Sequence, residues 1–352
     1  MIRAIAVSLI LTSFVFAQAP EIDSSTAIAE AVALIDSRRY DEAIAKLTAV
    51  LAKEPANDLA RYELGLAYAA KGDNANCLET LQPLSSKAGS LQVDSLAMVG
   101  NCLDHLGQRD KAIEAYRQGL KLAPDQSSLL FNLAITLAQT GKIDEAQTLA
   151  KNNIRKNPWH VTSHLLLTQI FEAQGFRVPA AFSFLRFLAL EPSSPRSAEA
   201  ATRLRGLMGL GVETTKKGAT ITIDPNSRKE EGDFGSMEMM LAMVTASESM
   251  EKKRGQSDFE RAQGSLVTAI KIFLESRESD QTDFTSTVQG PFFSVMDQEK
   301  LLETFAGLAM STLKLRGTEE WMKKNAKEIE RYRAWIAPQA KPGVPMPVTP
   351  AN

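Results

Sequence analysis

His160 and His164 stand four residues apart, the spacing that would put two imidazoles on one helix face as metal ligands. Pro158-Trp159 immediately before them puts His160 outside a helix or at its edge. No cysteine or acid nearby supplies the third protein ligand that a catalytic zinc needs. Asp233-Phe234-Gly235 has the form of a magnesium-binding triplet but lacks the companion motifs such a site requires. There is no P-loop, no G-x-S-x-G and no cysteine–histidine set of hydrolase type. Five of the twelve methionines fall between positions 237 and 250. Met237, Met240, Leu241 and Val244 have helical spacing, which predicts a helix packed on a core. An adaptable partner surface and a thioether site for cuprous ion are the alternatives. No catalytic residue, cofactor or metal site is expected, and the protein is expected not to be an enzyme.

The elements that carry these residues sit in a chain of 352 residues, 44% hydrophobic and 23% charged, long enough for two domains or for one domain and an array. Forty basic residues against 42 acidic ones leave a formal charge of −2, too balanced to attract nucleic acid or anionic lipid. At the N-terminus Arg3 precedes an apolar run over 4–16, and Val15-Phe16-Ala17 offers small-residue cleavage before Gln18. Residues 1–17 are therefore expected to be a signal peptide. A 13-residue run is short of the roughly 20 needed to span a bilayer, so no integral span is expected after cleavage. The expected location is periplasmic or secreted.

Gly72, Gly107, Gly141 and Gly175 are separated by 35, 34 and 34 residues, and Pro124, Pro158 and Pro192 by 34 each. Two independent markers share one period, the signature of a repeat architecture. Leu64-Gly65 with Tyr68 marks the second unit. Val99-Gly100, Leu103, Ala112 and Tyr116 fill the third, Leu133-Ala134, Leu137 and Ala146 the fourth, and Leu167, Phe171, Ala180 and Phe184 the fifth. The first unit is weaker, with Tyr40-Asp41-Glu42-Ala43-Ile44 and Pro55, and Arg38 where a glycine is expected. These residues resemble the tetratricopeptide repeat (TPR) family, in which each unit is a helix–turn–helix pair. The units run over 24–57, 58–92, 93–126, 127–160 and 161–194. An amphipathic segment over 195–210, with Ala198, Ala201, Leu204, Leu207 and Met208 on one side, is expected to cap the stack. The fold class is thus all-α: a TPR α-solenoid of five repeats plus a capping helix over 24–210, then a mainly helical C-terminal domain with a short extended arm over 211–337.

The resemblance implies that the first helix of each pair lines a concave groove. Its lining positions are Tyr62, Leu66, Asp94, Asn101, Asp104, His105, Phe131, Ile135, Gln139, Leu165, Gln169 and Glu172. Apolar anchors flanked by amides and acids suit an extended peptide or a helix. No lysine or arginine falls among them, so a free C-terminal carboxylate is not the expected ligand. The protein's own C-terminal domain could also fill the groove. Cys77 falls on the second helix of one unit and Cys102 on the first helix of the next, which the repeat makes neighbours. A disulfide between them and a pair of small buried thiols both remain open.

Beyond Gly211 no family is apparent. Residues 219–223 alternate β-branched side chains and end at Asp224-Pro225, which predicts a strand or extended arm. Four helices are expected: one from Ser236 to about 253; one begun by the capping box Ser257/Glu260; one capped by Asp297 and carrying Leu301, Leu302, Phe305 and Leu308; and one capped by Thr318 and carrying Trp321, Ile329 and Tyr332. Gly290-Pro291-Phe292-Phe293 reads as a loop whose rings plug the bundle, with docking onto a partner as the alternative. Five prolines over 338–352 predict a disordered tail. The function expected is an exported scaffold that binds a protein or peptide. An enzyme in the C-terminal domain recruited by the repeats, and a self-associating structural protein, are the alternatives.

Overall fold

The structure is a computed structural model that describes residues 23–215, 218–222, 229–250, 256–277 and 281–337. The expected signal peptide over 1–17 and tail over 338–352 lie outside the described residues. The chain divides into two compact units between residues 106 and 107.

The first unit holds α1 (Ser24–Asp36), α2 (Tyr40–Lys53), α3 (Asp58–Lys71), α4 (Asn74–Ser86) and α5 (Gln92–His105). Small residues set how closely these helices approach. A methyl group on Gly65 of α3 would come within 2.4 Å of Leu81 Cγ on α4. Ala31, Ala43, Ala60 and Ala67 are fully buried beside Leu47 and Leu64. α3 ends at Gly72, whose φ of 86° is the left-handed turn that glycine adopts without strain. Arg38 makes the equivalent turn between α1 and α2 with φ 60°, in a region where a Cβ crowds the following carbonyl. Its side chain is exposed. Arg38→Gly is therefore expected to raise the unfolding free energy by about 0.5–1 kcal/mol, the removed strain less the greater freedom of glycine in the unfolded chain. Denaturant titration would check it, and a lower midpoint would contradict it.

The second unit continues with α6 (Arg109–Leu122), α7 (Ser127–Gln139), α8 (Ile143–Lys156), α9 (Val161–Gln174), α10 (Arg177–Leu190) and α11 (Pro195–Met208). The third predicted pair therefore falls across the division, α5 in one unit and α6 in the other. α10 is apolar around its whole circumference, and 13 consecutive residues from Arg177 to Ala189 are buried. An all-round apolar helix has to be covered on every side. α9 and α11 cover part of it; the C-terminal region covers the rest.

That region begins with an antiparallel hairpin, β1 (Val212–Thr215) and β2 (Gly218–Ile221), pairing Val212 with Ile221 and Thr215 with Gly218. The extended arm expected over 219–223 is thus the second strand of a hairpin, with residue 223 outside the described residues. Then come α12 (Gly235–Met250), α13 (Asp258–Ser276), a π-helical turn (Thr285–Gln289), α14 (Gly290–Gln298), α15 (Leu302–Ser311), α16 (Thr318–Lys324) and α17 (Ala326–Ile336). Ser257 and Glu260 form the expected capping box.

Three expectations are corrected. Six helices replace four among the described residues. Gly290-Pro291-Phe292-Phe293 is the first turn of α14 and not a loop: the π-helical turn runs straight into it, the Gly290 N–H donating to the Thr285 carbonyl, and Gly290 is small because the Arg277 guanidinium lies where its Cβ would be. Asp297 sits in the last turn of α14, and Thr318 is the first residue of α16 behind Gly317, whose φ is 104°; neither caps a helix as expected.

Phe292 and Phe293 are fully buried. Phe292 meets Trp159 at 6.2 Å, and Phe293 meets Phe182 of α10 at 5.8 Å. Phe273 lies 3.8 Å from Phe182, and Tyr332 donates from its hydroxyl to the Ala189 carbonyl at 2.7 Å. Arg177 donates to the carbonyls of Leu207 and Met208, closing the C-terminal end of α11. Gln147 and Lys151 of α8 both donate to Glu231. The contacts of the C-terminal region with the repeats thus fall on α8 and α10, the second helices of their pairs, and also on α9, where Gln289 meets His164 and Leu165 packs on the shared core.

Candidate functional site

In the first unit α1, α3 and α5 lie side by side. Tyr62 and Leu66 on α3, and Asp94, Asn101 and Asp104 on α5, are half-buried, while His105 is exposed. Burial first, then the nearby charges of Asp94 and Glu63, push the Tyr62 phenol up to about 12. Burial and the Asp36 charge raise the Glu63 carboxyl. Both effects have one physical cause, a half-desolvated surface gathering like charges from three helices. On a buried face of α5, Cys102 is joined to Cys77 of α4 in a disulfide, with the Cα atoms 6.5 Å apart. The bridge fixes the helix that carries Asp94 and Asn101 to the body of this unit.

In the second unit α7 presents Phe131 and Ile135 half-buried and Gln139 exposed. α9 presents Leu165 and Glu172 half-buried and Gln169 exposed. Phe131 packs edge-on to His160 at 5.0 Å, and Leu165 leans on the core shared with the C-terminal helices. Here cations do reach the expected lining. Arg109 of α6 donates to Gln139 at 3.3 Å, and Arg203 of α11 pairs with Glu172. Both come from a helix about thirty residues away, so no count over the lining positions reveals them. Sequence reasoning also passed over Leu59, Glu63 and Asp36. Leu59 stands 35 residues before Asp94, one repeat earlier, and the same spacing would have found it.

The two adjacent histidines are held by protein partners. His160 Nδ1 lies 2.8 Å from Ser163 Oγ, and His164 Nε2 lies 2.9 Å from the Pro158 carbonyl. Phe234 of the Asp233-Phe234-Gly235 triplet is buried in the core, while Asp233 accepts from the Gly235 amide and pairs with Lys229. Among the described residues no helix is long and apolar enough to cross a membrane.

Two family models described as Tetratricopeptide repeat match residues 28–76 and 105–158. The chain carries tetratricopeptide repeats over these residues. It is similar to the thermophilic TPR protein TTC0263 of Thermus thermophilus, at 16% identity with a TM-score of 0.44, covering 53% of this chain and 99% of that one. It is also similar to pilF of Pseudomonas aeruginosa, at 18% identity and a TM-score of 0.47, covering 52% and 83%. In Homo sapiens, Protein O-mannosyl-transferase TMTC1 is 24% identical over 138 residues, which are 39% of this chain and 15% of that relative. The chain thus spans a small part of that enzyme's length. What the repeats support is a scaffold for protein–protein interaction.

Proposed function

We propose that this TPR scaffold is exported, non-catalytic, and captures a peptide or protein on the faces of its first helices. The observation that carries this reading is the lining itself. Tyr62 and Leu66 in the first unit, and Phe131 and Ile135 in the second, are large side chains left half-exposed on helices whose other faces are packed. Such rims of aromatic and aliphatic anchors supply most of the affinity in groove recognition. In the second unit, the C-terminal region engages α8, α9 and α10, which favours a free face on α7 over one filled by the protein itself. Export is supported by the apolar N-terminal run and by the disulfide, which an oxidising compartment maintains.

Affinity capture from the native envelope fraction tests the proposal, comparing wild type with Tyr62→Ala/Phe131→Ala. A protein retained by wild type and lost by the double variant, with far-UV circular dichroism unchanged, is the expected result. Equal retention by both would place the contact away from these faces.

A further inference from the structure

The inner face of the first unit is apolar at its centre and acidic around it. Leu59 is 48% exposed, and Tyr62 and Leu66 lie half-buried beside it on α3. Around them stand Asp36 at the end of α1, Glu63 on α3 and Asp94 at the start of α5. None of these three carboxylates has a hydrogen-bond or ion-pair partner among the described residues. Four cations of the unit are engaged with other acids: Arg39 with Glu42, Lys46 with Glu30, Lys71 with Asp41 and Lys87 with Asp58. Arg61, the cation nearest to Tyr62 in sequence, donates to the Pro55 carbonyl at 2.7 Å. After burial, the Asp36 charge acts on Glu63, and the Asp94 and Glu63 charges act on Tyr62, on three helices that lie side by side. The lining of the second unit differs, because its acid, Glu172, is already matched by Arg203.

We infer that this face of the first unit binds an extended, lysine- or arginine-bearing peptide segment, its apolar side chains seated on Leu59, Tyr62 and Leu66 and its cations set against Asp36, Glu63 and Asp94. The inference rests on the proposed scaffold function and adds the class of partner. Like charges held together at a half-desolvated surface destabilise the free protein, and a cationic partner relieves them, so charge complementarity selects the occupant. An acidic or neutral segment of the same shape gains no such relief. The cations also speed encounter, in a way that salt screens.

The test uses the full chain with its disulfide formed and fluorescence anisotropy of three short labelled peptides. In these, leucine alternates with lysine, with glutamine or with glutamate. The lysine peptide is expected to bind about tenfold or more tighter than the glutamine peptide at low salt, a difference of at least 1.4 kcal/mol. The glutamate peptide is expected not to bind. Asp36→Asn/Glu63→Gln/Asp94→Asn should bring the lysine peptide down to the glutamine level, with an unfolding midpoint no lower than wild type. Tyr62→Ala/Leu66→Ala should abolish binding of both. If lysine and glutamine peptides bind alike and both are lost in Tyr62→Ala/Leu66→Ala, the groove reading stands and the cationic preference is overturned. If the lysine peptide survives Tyr62→Ala/Leu66→Ala, its contact lies elsewhere and the inference fails. If no peptide binds, this inference and the groove reading fail together.

Discussion

Breaking the Cys77–Cys102 bridge is expected to lower the unfolding free energy of the first unit by about 3–4 kcal/mol. The bridge closes a loop of 25 residues, for which the chain-entropy estimate is about 3.5 kcal/mol. Both cysteines are buried, at 0% and 1% exposure, so the bridge adds a cross-link to a packed site without straining an exposed loop. Two forms separate the bridge from the packing: wild type unfolded, reduced and refolded, and Cys77→Ala/Cys102→Ala, which keeps small apolar groups at both positions. Far-UV circular dichroism in urea should show the same loss for both. All three tryptophans, Trp159, Trp321 and Trp335, belong to the second unit, so tryptophan fluorescence reports that unit separately. An unfolding free energy by circular dichroism within about 0.5 kcal/mol of the oxidised protein's would overturn the expectation, the difference being smaller than nearly any native disulfide contributes. The same two forms should also weaken capture on the first unit's face, because α5 carries Asp94 and is held by the bridge.

The repeats were legible because their constraints are local and recur. A left-handed turn between paired helices leaves a glycine, a close helix crossing leaves a glycine or alanine, and a helix end leaves a proline. Even the departure is informative: Arg38, the residue that breaks the glycine period, adopts the left-handed conformation the period demands. The C-terminal helices were less legible because their signals serve packing. Gly290-Pro291 has the composition of a turn, yet the glycine makes room for Arg277 and the proline opens a helix. Asp297 and Thr318 have the chemistry of caps, but the chain turns instead at Lys300, with φ 55°, and at Gly317. At Lys300 no glycine marks the turn in advance.

The lining of the repeats divides in the same way. The positions follow from the repeat, and so do Tyr62, Phe131 and the other residues placed by it. The charge balance at each position does not follow, because partners arrive from neighbouring helices: Arg203 to Glu172 and Arg109 to Gln139 in one unit, and, among the described residues, no cation to Asp94 in the other. α10 was readable in part. Its apolar circumference required full burial, but the two arginines within it, Arg177 and Arg186, find their partners through tertiary contacts alone. Arg186 lies with its guanidinium 3.4 Å from the Phe292 ring centroid and 4.9 Å from that of Trp159, a cation held between aromatic faces.

Acid is expected to destabilise the second unit through His164. Its ring is fully buried, with Nε2 2.9 Å from the Pro158 carbonyl, so that nitrogen carries the proton and donates it. Nδ1 then faces the Gln289 amide nitrogen at 3.4 Å as an acceptor. The neutral ring thus satisfies both partners, while a second proton would confront the amide N–H. Burial, and then the charge of Arg186, hold the imidazole down to about 3 from its usual 6.5. Between those two values the unfolded chain binds a proton at residue 164 that the folded chain refuses. The stability conferred by the neutral ring is therefore complete above about pH 6.5 and is lost progressively as pH falls toward 3. The loss should reach about 2 kcal/mol by pH 5 and about 3 kcal/mol by pH 4, at 1.4 kcal/mol per pH unit. Urea titrations followed by tryptophan fluorescence from pH 7.5 to 5, above most carboxylate titration, would read the slope. His164→Gln keeps an N–H donor for the Pro158 carbonyl without a titrating ring, and should flatten that slope by nearly one proton. His160→Gln should change it less, because burial lowers that ring while leaving it partly exposed. An unchanged slope in His164→Gln would mean that the ring takes up its proton within the folded core, and that Arg186 and Gln289 yield to it.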